Sequence, residues 1–167
     1  MFTKAAFLKS LTHEAKIISH LAGQVPAGQL DWRPTPAQRS TREVLQYLSF
    51  SALASAEAAI TGNWDRYDAH VAASKLVDPA GVSKAMKRQV AAITKLLAKL
   101  NDAALRKRTA KNWIGKKVVL GDGLIEMVLK QLTAYRMQLF IYLKASGAAQ
   151  LGTSDCWFGV AQKKQQG

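Results

Sequence analysis

Apolar residues recur at three- and four-residue spacing along most of the chain, and four stretches carry the pattern far enough to be helices. Over residues 3–22, Phe7, Leu8, Leu11, Ala15, Ile18 and Leu21 share one face, and Gly23 ends the run. Residues 24–39 hold Pro26, Pro34 and Pro36, which fix φ and break any regular helix. Leu30 and Trp32 are the residues that would tack this loop to a core. The pattern resumes at Ser40, where Ser40-Thr41-Arg42-Glu43 reads as a capping box. It predicts a second helix to about Ile60, rich in Ala and Ser, with Thr61-Gly62-Asn63 ending it. Residues 61–78, with Trp64, Tyr67 and His70, read as irregular. Asp78-Pro79 supplies a cap and an N1 proline for a third helix, reaching about Leu100 and at most Leu105.

A connector ending in Val118-Val119-Leu120-Gly121-Asp122-Gly123 follows. It reads as a short extended piece, with Asp122 capping a fourth helix over 123–146. Leu124, Val128, Leu132, Leu139 and Leu143 give that helix the strongest apolar stripe, and Gly147 is its natural stop. Four long helices, long first and third connections and no strand alternation predict an all-α four-helix bundle with crossover connections over residues 1–150. Residues 151–167 read as an extension packed on the bundle through Asp155-Cys156-Trp157-Phe158, with a frayed KKQQG tail.

Charge changes this picture in one region. The chain has 24 Lys and Arg against 11 Asp and Glu, a net +13. Between Lys84 and Lys117 there are eleven basic residues and a single acid, Asp102, so this segment carries +10 and the remainder +3. On the third helix Lys84, Arg88, Lys95 and Lys99 form one stripe, and Met86, Val90, Ile93, Leu97 and Leu100 another. The basic stripe reads first as a solvated face and second as a contact for nucleic acid. Only one aromatic, Trp113, lies in the run, where a dedicated binder interleaves several. One cysteine, Cys156, excludes an intrachain disulfide or a cysteine metal cluster. No run of about 18 apolar residues predicts a membrane span. Lys4, Lys9 and His13 interrupt the first apolar stretch, which is not read as a signal peptide, so a cytoplasmic location is expected.

Three stretches together resemble the DinB/YfiT-like superfamily: Leu30-Asp31-Trp32-Arg33-Pro34 after His13-Glu14, Ser40 to Ser49, and Tyr135 to Leu143 followed by Gly147. The resemblance covers about residues 3–147. It implies a four-helix bundle, often dimeric, and in many members a divalent metal held by one histidine on helix two and an H-x-x-x-H pair on helix four. The matching positions here are Tyr47, Gln131 and Tyr135. Imidazole is a good ligand for zinc, nickel or iron, whereas an amide is poor and a phenol must ionise from a pKa of about 10. No metal and no cofactor are therefore expected. His13 and His20 lie roughly 10 Å apart along one helix, too far for one ion. Each histidine reads as a surface or hydrogen-bonded structural residue.

Gln131, Tyr135, Gln138 and Tyr142 follow i, i+4, i+7 and i+11 along helix four. With Tyr47 facing them, Tyr47, Gln131, Tyr135 and Gln138 become candidate small-molecule ligands of a polar patch, the alternative being a self-satisfied network. Arg136 stands at the family's arginine position, for structure or for an anion. Cys156 lacks a neighbouring base and reads as a buried thiol. The function this supports is a non-metal small-molecule-binding or interaction protein, expected to be a homodimer. The alternatives are a metal- or thiol-dependent transferase or hydrolase, and nucleic-acid binding through residues 84–117.

Overall fold

The computed structural model describes residues 2–161; the KKQQG tail lies outside them. The chain forms nine α-helical segments among the described residues, with one π-helical segment and one short hairpin. Helix α1 spans Lys4–Ala22, capped by Thr3, and buries Phe7, Leu11, Ala15, Ile18 and Leu21. The carbonyls of Leu30 and Trp32 in the following loop accept from the amides of Arg42 and Thr41, so the loop is tied to the start of α2 (Thr41–Leu48). The capping box forms. Ser40 Oγ accepts from the Glu43 amide at 3.3 Å, and Glu43 Oε2 accepts from the Ser40 amide at 2.6 Å.

The second helix is not continuous. It breaks at Ser49-Phe50 and resumes as α3, Ser51–Thr61. The cause is a side chain from 36 residues away. Buried Gln89 donates to the Leu48 carbonyl at 2.9 Å and accepts from the Leu53 amide at 3.1 Å. It replaces two rungs of the backbone ladder, one of the few physical causes of a sharp helix break. The stretch read as irregular contains a helix, α4 (Tyr67–Ser74). His70 Nε2 and Arg66 both bond Glu57 on α3, at 2.7 and 2.5 Å, and fasten it. Helix α5 is Pro79–Ala98, capped by Asp78 as expected. A separate helix α6, Asp102–Lys107, starts at an Asn101 cap. Asp102, the one acid of the basic segment, accepts from the amide of Lys4 at the start of α1.

Strands β1 (Thr109–Lys111) and β2 (Lys117–Val119) pair antiparallel. The last bundle helix begins at Leu120 rather than at an Asp122 cap, as α7 (Leu120–Leu124). Gly121 and Gly123 are buried there, Gly121 against the Phe2 ring and Gly123 against Ala110 and Val118. The helix continues through a π-helical segment, Ile125–Lys130, into α8, Gln131–Ala145. Gly147, at φ 124°, takes the chain out of it.

Helix α1 packs on α5 and α8, and the α2–α3 pair packs on the same two elements. Helix one and helix two are thus diagonal, as are helices three and four. The first and third connections cross the bundle, while the second joins neighbours. This is the crossover bundle that the connection lengths predict. Among the described residues no helix is long and apolar enough to cross a membrane.

Helix α9, Thr153–Phe158, lies on α1 and α8. Its anchors are polar. Arg136 donates to the Cys156 carbonyl at 2.7 Å, the Trp157 carbonyl accepts from His13, and His20 Nε2 meets Asp155 Oδ1 at 2.7 Å. At Gly159, where φ is 60°, a Cβ would come within 2.9 Å of the Ile17 Cα, so the chain can pass this close only as glycine. Burial pushes the Asp155 carboxyl up, but the Gly152 amide and His20 outweigh it and hold the group below its ordinary 3.8. A carboxylate with a lowered folded pKa contributes stability above its unfolded value and loses it as pH falls through the folded one. Asp155→Ala is therefore expected to lower stability at neutral pH by about 1–3 kcal/mol. The gap to the wild type should close below pH 3.8, which urea titrations at the two pH values would read.

Candidate functional site

Tyr47 occupies the last turn of α2, and its partners arrive from three other elements. Gln131, at the junction of the π-helical segment and α8, donates its amide to the Tyr47 hydroxyl and accepts from Ser55 Oγ on α3 at 3.0 Å. Tyr135 stands one turn further on, its ring 4.6 Å from that of Tyr47. Arg39, in the loop just ahead of the Ser40 cap, donates to the Tyr135 hydroxyl at 2.7 Å. Its guanidinium lies 4.5 Å over the Tyr47 ring and 5.5 Å from the Tyr135 ring centre. Burial pushes the Tyr47 phenol above its usual 10, reinforced by the neighbouring tyrosines and opposed by Gln131 and Arg39.

An open cavity of about 660 Å³ sits over this cluster, lined by Tyr47, Gln131, Tyr135, Ala134, Glu126, Lys130 and Trp113. Glu126 and Lys130 come from the π-helical segment, a distortion that recurs at functional sites. They face each other on the rim at 3.6 Å. Trp113 comes from the tip of the hairpin. That tip is well defined: Asn112 Oδ1 accepts from the amides of Ile114 and Lys116, and Gly115 takes the left-handed turn at φ 75°. Trp113 remains 54% exposed.

Three of the four candidate ligand residues, Tyr47, Gln131 and Tyr135, thus meet at one cavity. Gln138 does not join them. It lies roughly 10 Å along the helix from Gln131 and donates instead to the Tyr142 hydroxyl at 2.7 Å, beside Trp32. Sequence reasoning missed Arg39, Ser55, Trp113, Glu126 and Lys130 as parts of the site. Only Trp113 left a signal, as the lone aromatic of the basic run. That run is accordingly not wholly remote from the site.

The stripe of Lys84, Arg88 and Lys95 on α5 and Lys99 at its C-cap is exposed, and none of the four is in an ion pair among the described residues. It lies on a helix that makes no part of the cavity. Arg136 is fully enclosed, with its Nε 3.2 Å from Glu14 Oε2, and serves to hold α9. Cys156 is buried, which raises its thiol pKa. The three histidines each bond a different partner, Trp157, Asp155 or Glu57, and His70 does so from α4 rather than from a loop.

The donor set does not fit a divalent metal. Both ends of the Gln131 amide are engaged, a cation holds the Tyr135 oxygen, and Tyr47 is harder to ionise than a free phenol. Among the described residues no group of three or more His, Cys, Asp and Glu converges for an ion.

In overall shape the chain is similar to a DinB-like protein, YjoA from Bacillus subtilis, whose crystal structure was determined at 2.30 Å. The TM-score is 0.67, and the match covers 89% of this chain and 96% of that one. The fold is DinB-like. At 17% identity the likeness is one of architecture. No family model matches the sequence, and no curated protein matches it. The DinB-like bundle places Tyr47 and the Gln131–Tyr135 turn on facing helices, as the three sequence stretches imply.

Proposed function

We propose that this DinB-like protein binds an organic small molecule at the place where metal-binding relatives hold an ion, and that it does so without a metal. The observation that carries the reading is the cavity itself. Tyr47, Gln131 and Tyr135 are satisfied toward the protein, by each other, Ser55 and Arg39, and still border about 660 Å³ of open space. That volume lies within the usual range for small-molecule pockets, which pair apolar walls with a few placed polar groups. A solid polar network would have left no such room.

Ligand-observed NMR screening of a fragment set tests this. Hits should compete for one site and should be lost in Ala134→Trp, which adds an indole to an exposed lining position. Hits that persist in that variant, or an absence of hits, would contradict the reading.

A further inference from the structure

The polar atoms left facing the cavity are nearly all donors. The Tyr47 oxygen accepts from Gln131 and the Tyr135 oxygen accepts from Arg39. A phenol whose oxygen is already engaged as an acceptor still has its own O–H to give. Among the described residues neither hydroxyl donates to a protein group. The Gln131 carbonyl oxygen, the one amide acceptor here, is taken by Ser55. Beside these donors stands the Arg39 guanidinium, and Trp113 is carried on a hairpin bearing Lys111, Lys116 and Lys117. The one acid on the lining is Glu126, and Lys130 faces it at 3.6 Å. A sugar or other polyol would need acceptors as well as donors, and a cation would need a free carboxylate. A carboxylate needs only donors and positive charge. Apart from Ala134, the remaining lining is aromatic: the Trp113 indole and the Tyr47 and Tyr135 rings, the latter two with centres 4.6 Å apart.

Resting on the ligand site proposed above, we infer that the ligand is a planar aromatic carboxylate. Its rings lie between Trp113 and the Tyr47–Tyr135 pair, and its carboxylate receives the two phenol protons beside Arg39. Apolar planar surface against aromatic walls supplies most of the attraction. The donor set supplies the choice of charge.

Calorimetric titration of the full chain with 1-naphthoate, 1-naphthamide and 1-naphthylmethylammonium tests the inference, since the three share a ring system and differ in charge. Naphthoate should bind at least tenfold more tightly than the amide, and the ammonium compound should not bind. Raising the salt concentration should weaken naphthoate alone. Tyr47→Phe/Tyr135→Phe keeps both rings and removes both protons, so it should weaken naphthoate by a larger factor than the amide and abolish the preference for naphthoate. Trp113→Ala should weaken naphthoate and amide by the same factor. Equal affinity for naphthoate and naphthamide, tighter binding of the ammonium compound, or a preference that survives in the double variant would overturn the carboxylate inference and leave the ligand site standing. No binding of any of the three overturns the inference too, and the fragment screen with Ala134→Trp then decides the site separately.

Discussion

Arg136→Met is expected to lower stability at pH 7 by about 3–5 kcal/mol, the range seen when one partner of a buried ion pair is removed. Arg136 is 2% exposed and joins two things that otherwise have no reason to meet. Its Nη1 holds the Cys156 carbonyl at 2.7 Å, and its Nε faces the half-buried Glu14 at 3.2 Å. Methionine matches the aliphatic length and leaves Glu14 without a counter-charge. Burial already raises the Glu14 pKa above 4.5, against the pull of Arg136. Without the guanidinium it should rise further. A group with a raised folded pKa favours the fold below its unfolded value and loses that contribution as pH rises through the folded one. The deficit of the variant should therefore shrink as pH is lowered from 7 toward 4.5 and be greatest at neutral pH. Denaturant titrations at both pH values check the sign. Hydrogen exchange should show α9 opening first, since this side chain holds its Cys156 carbonyl. A deficit that grows on acidification would contradict the assignment.

Gln89→Leu is the second large effect, at about 2–4 kcal/mol, because it strands one buried carbonyl and one buried amide at once. For a domain of this size each kcal/mol moves Tm by roughly 2–4 °C, so a fall of about 5–15 °C is expected. The exchange of the Leu53 amide should accelerate beyond that of its neighbours. Gln89→Glu separates the two halves: it keeps the acceptor for Leu53 and removes the donor to Leu48. A Gln89→Leu protein of wild-type stability would mean that the helix closes across Ser49-Phe50 without help.

These two residues also mark where the sequence stops being legible. The long helices, their Ser40 and Asp78 caps and the Gly147 stop are local features, and local patterning reads them. The diagonal arrangement follows from connection lengths. The break in the second helix does not, because its cause is one amide on α5. Gln89 lies between an exposed Arg88 and a half-buried Val90, and in the sequence it looks like one more polar position on a basic helix. Helix α4 has eight residues, only one of them buried, so it offers no apolar stripe to find. The hairpin strands have three residues each, too few for alternation to register.

The site divides in the same way. Tyr47, Gln131 and Tyr135 were found by placing motif positions on helices. Gln138 shares their stripe but lies too far along the axis to reach the cavity. Arg39, Ser55 and Trp113 reach it from loop, helix and hairpin through tertiary folding alone. Arg39 changes the chemistry most. It commits the Tyr135 oxygen as Gln131 commits that of Tyr47, leaving both hydroxyl protons free, which makes a poor metal site and is the basis of the carboxylate inference.

The basic segment divides between two places. Lys84, Arg88, Lys95 and Lys99 face solvent on α5 and its C-cap, while the hairpin that continues the run delivers an aromatic wall to the cavity. Under the ligand-site proposal, the positive charge of the hairpin bears on the ligand and that of α5 on a surface partner.

The central claim is that Tyr47, Gln131 and Tyr135 form an organic-ligand site and not a metal centre. Elemental analysis of protein purified without an affinity tag or chelator tests it most directly. The expected result is no stoichiometric zinc, nickel or iron, and a melting temperature indifferent to added zinc or to EDTA. Stoichiometric metal that disappears in Tyr135→Phe would contradict it.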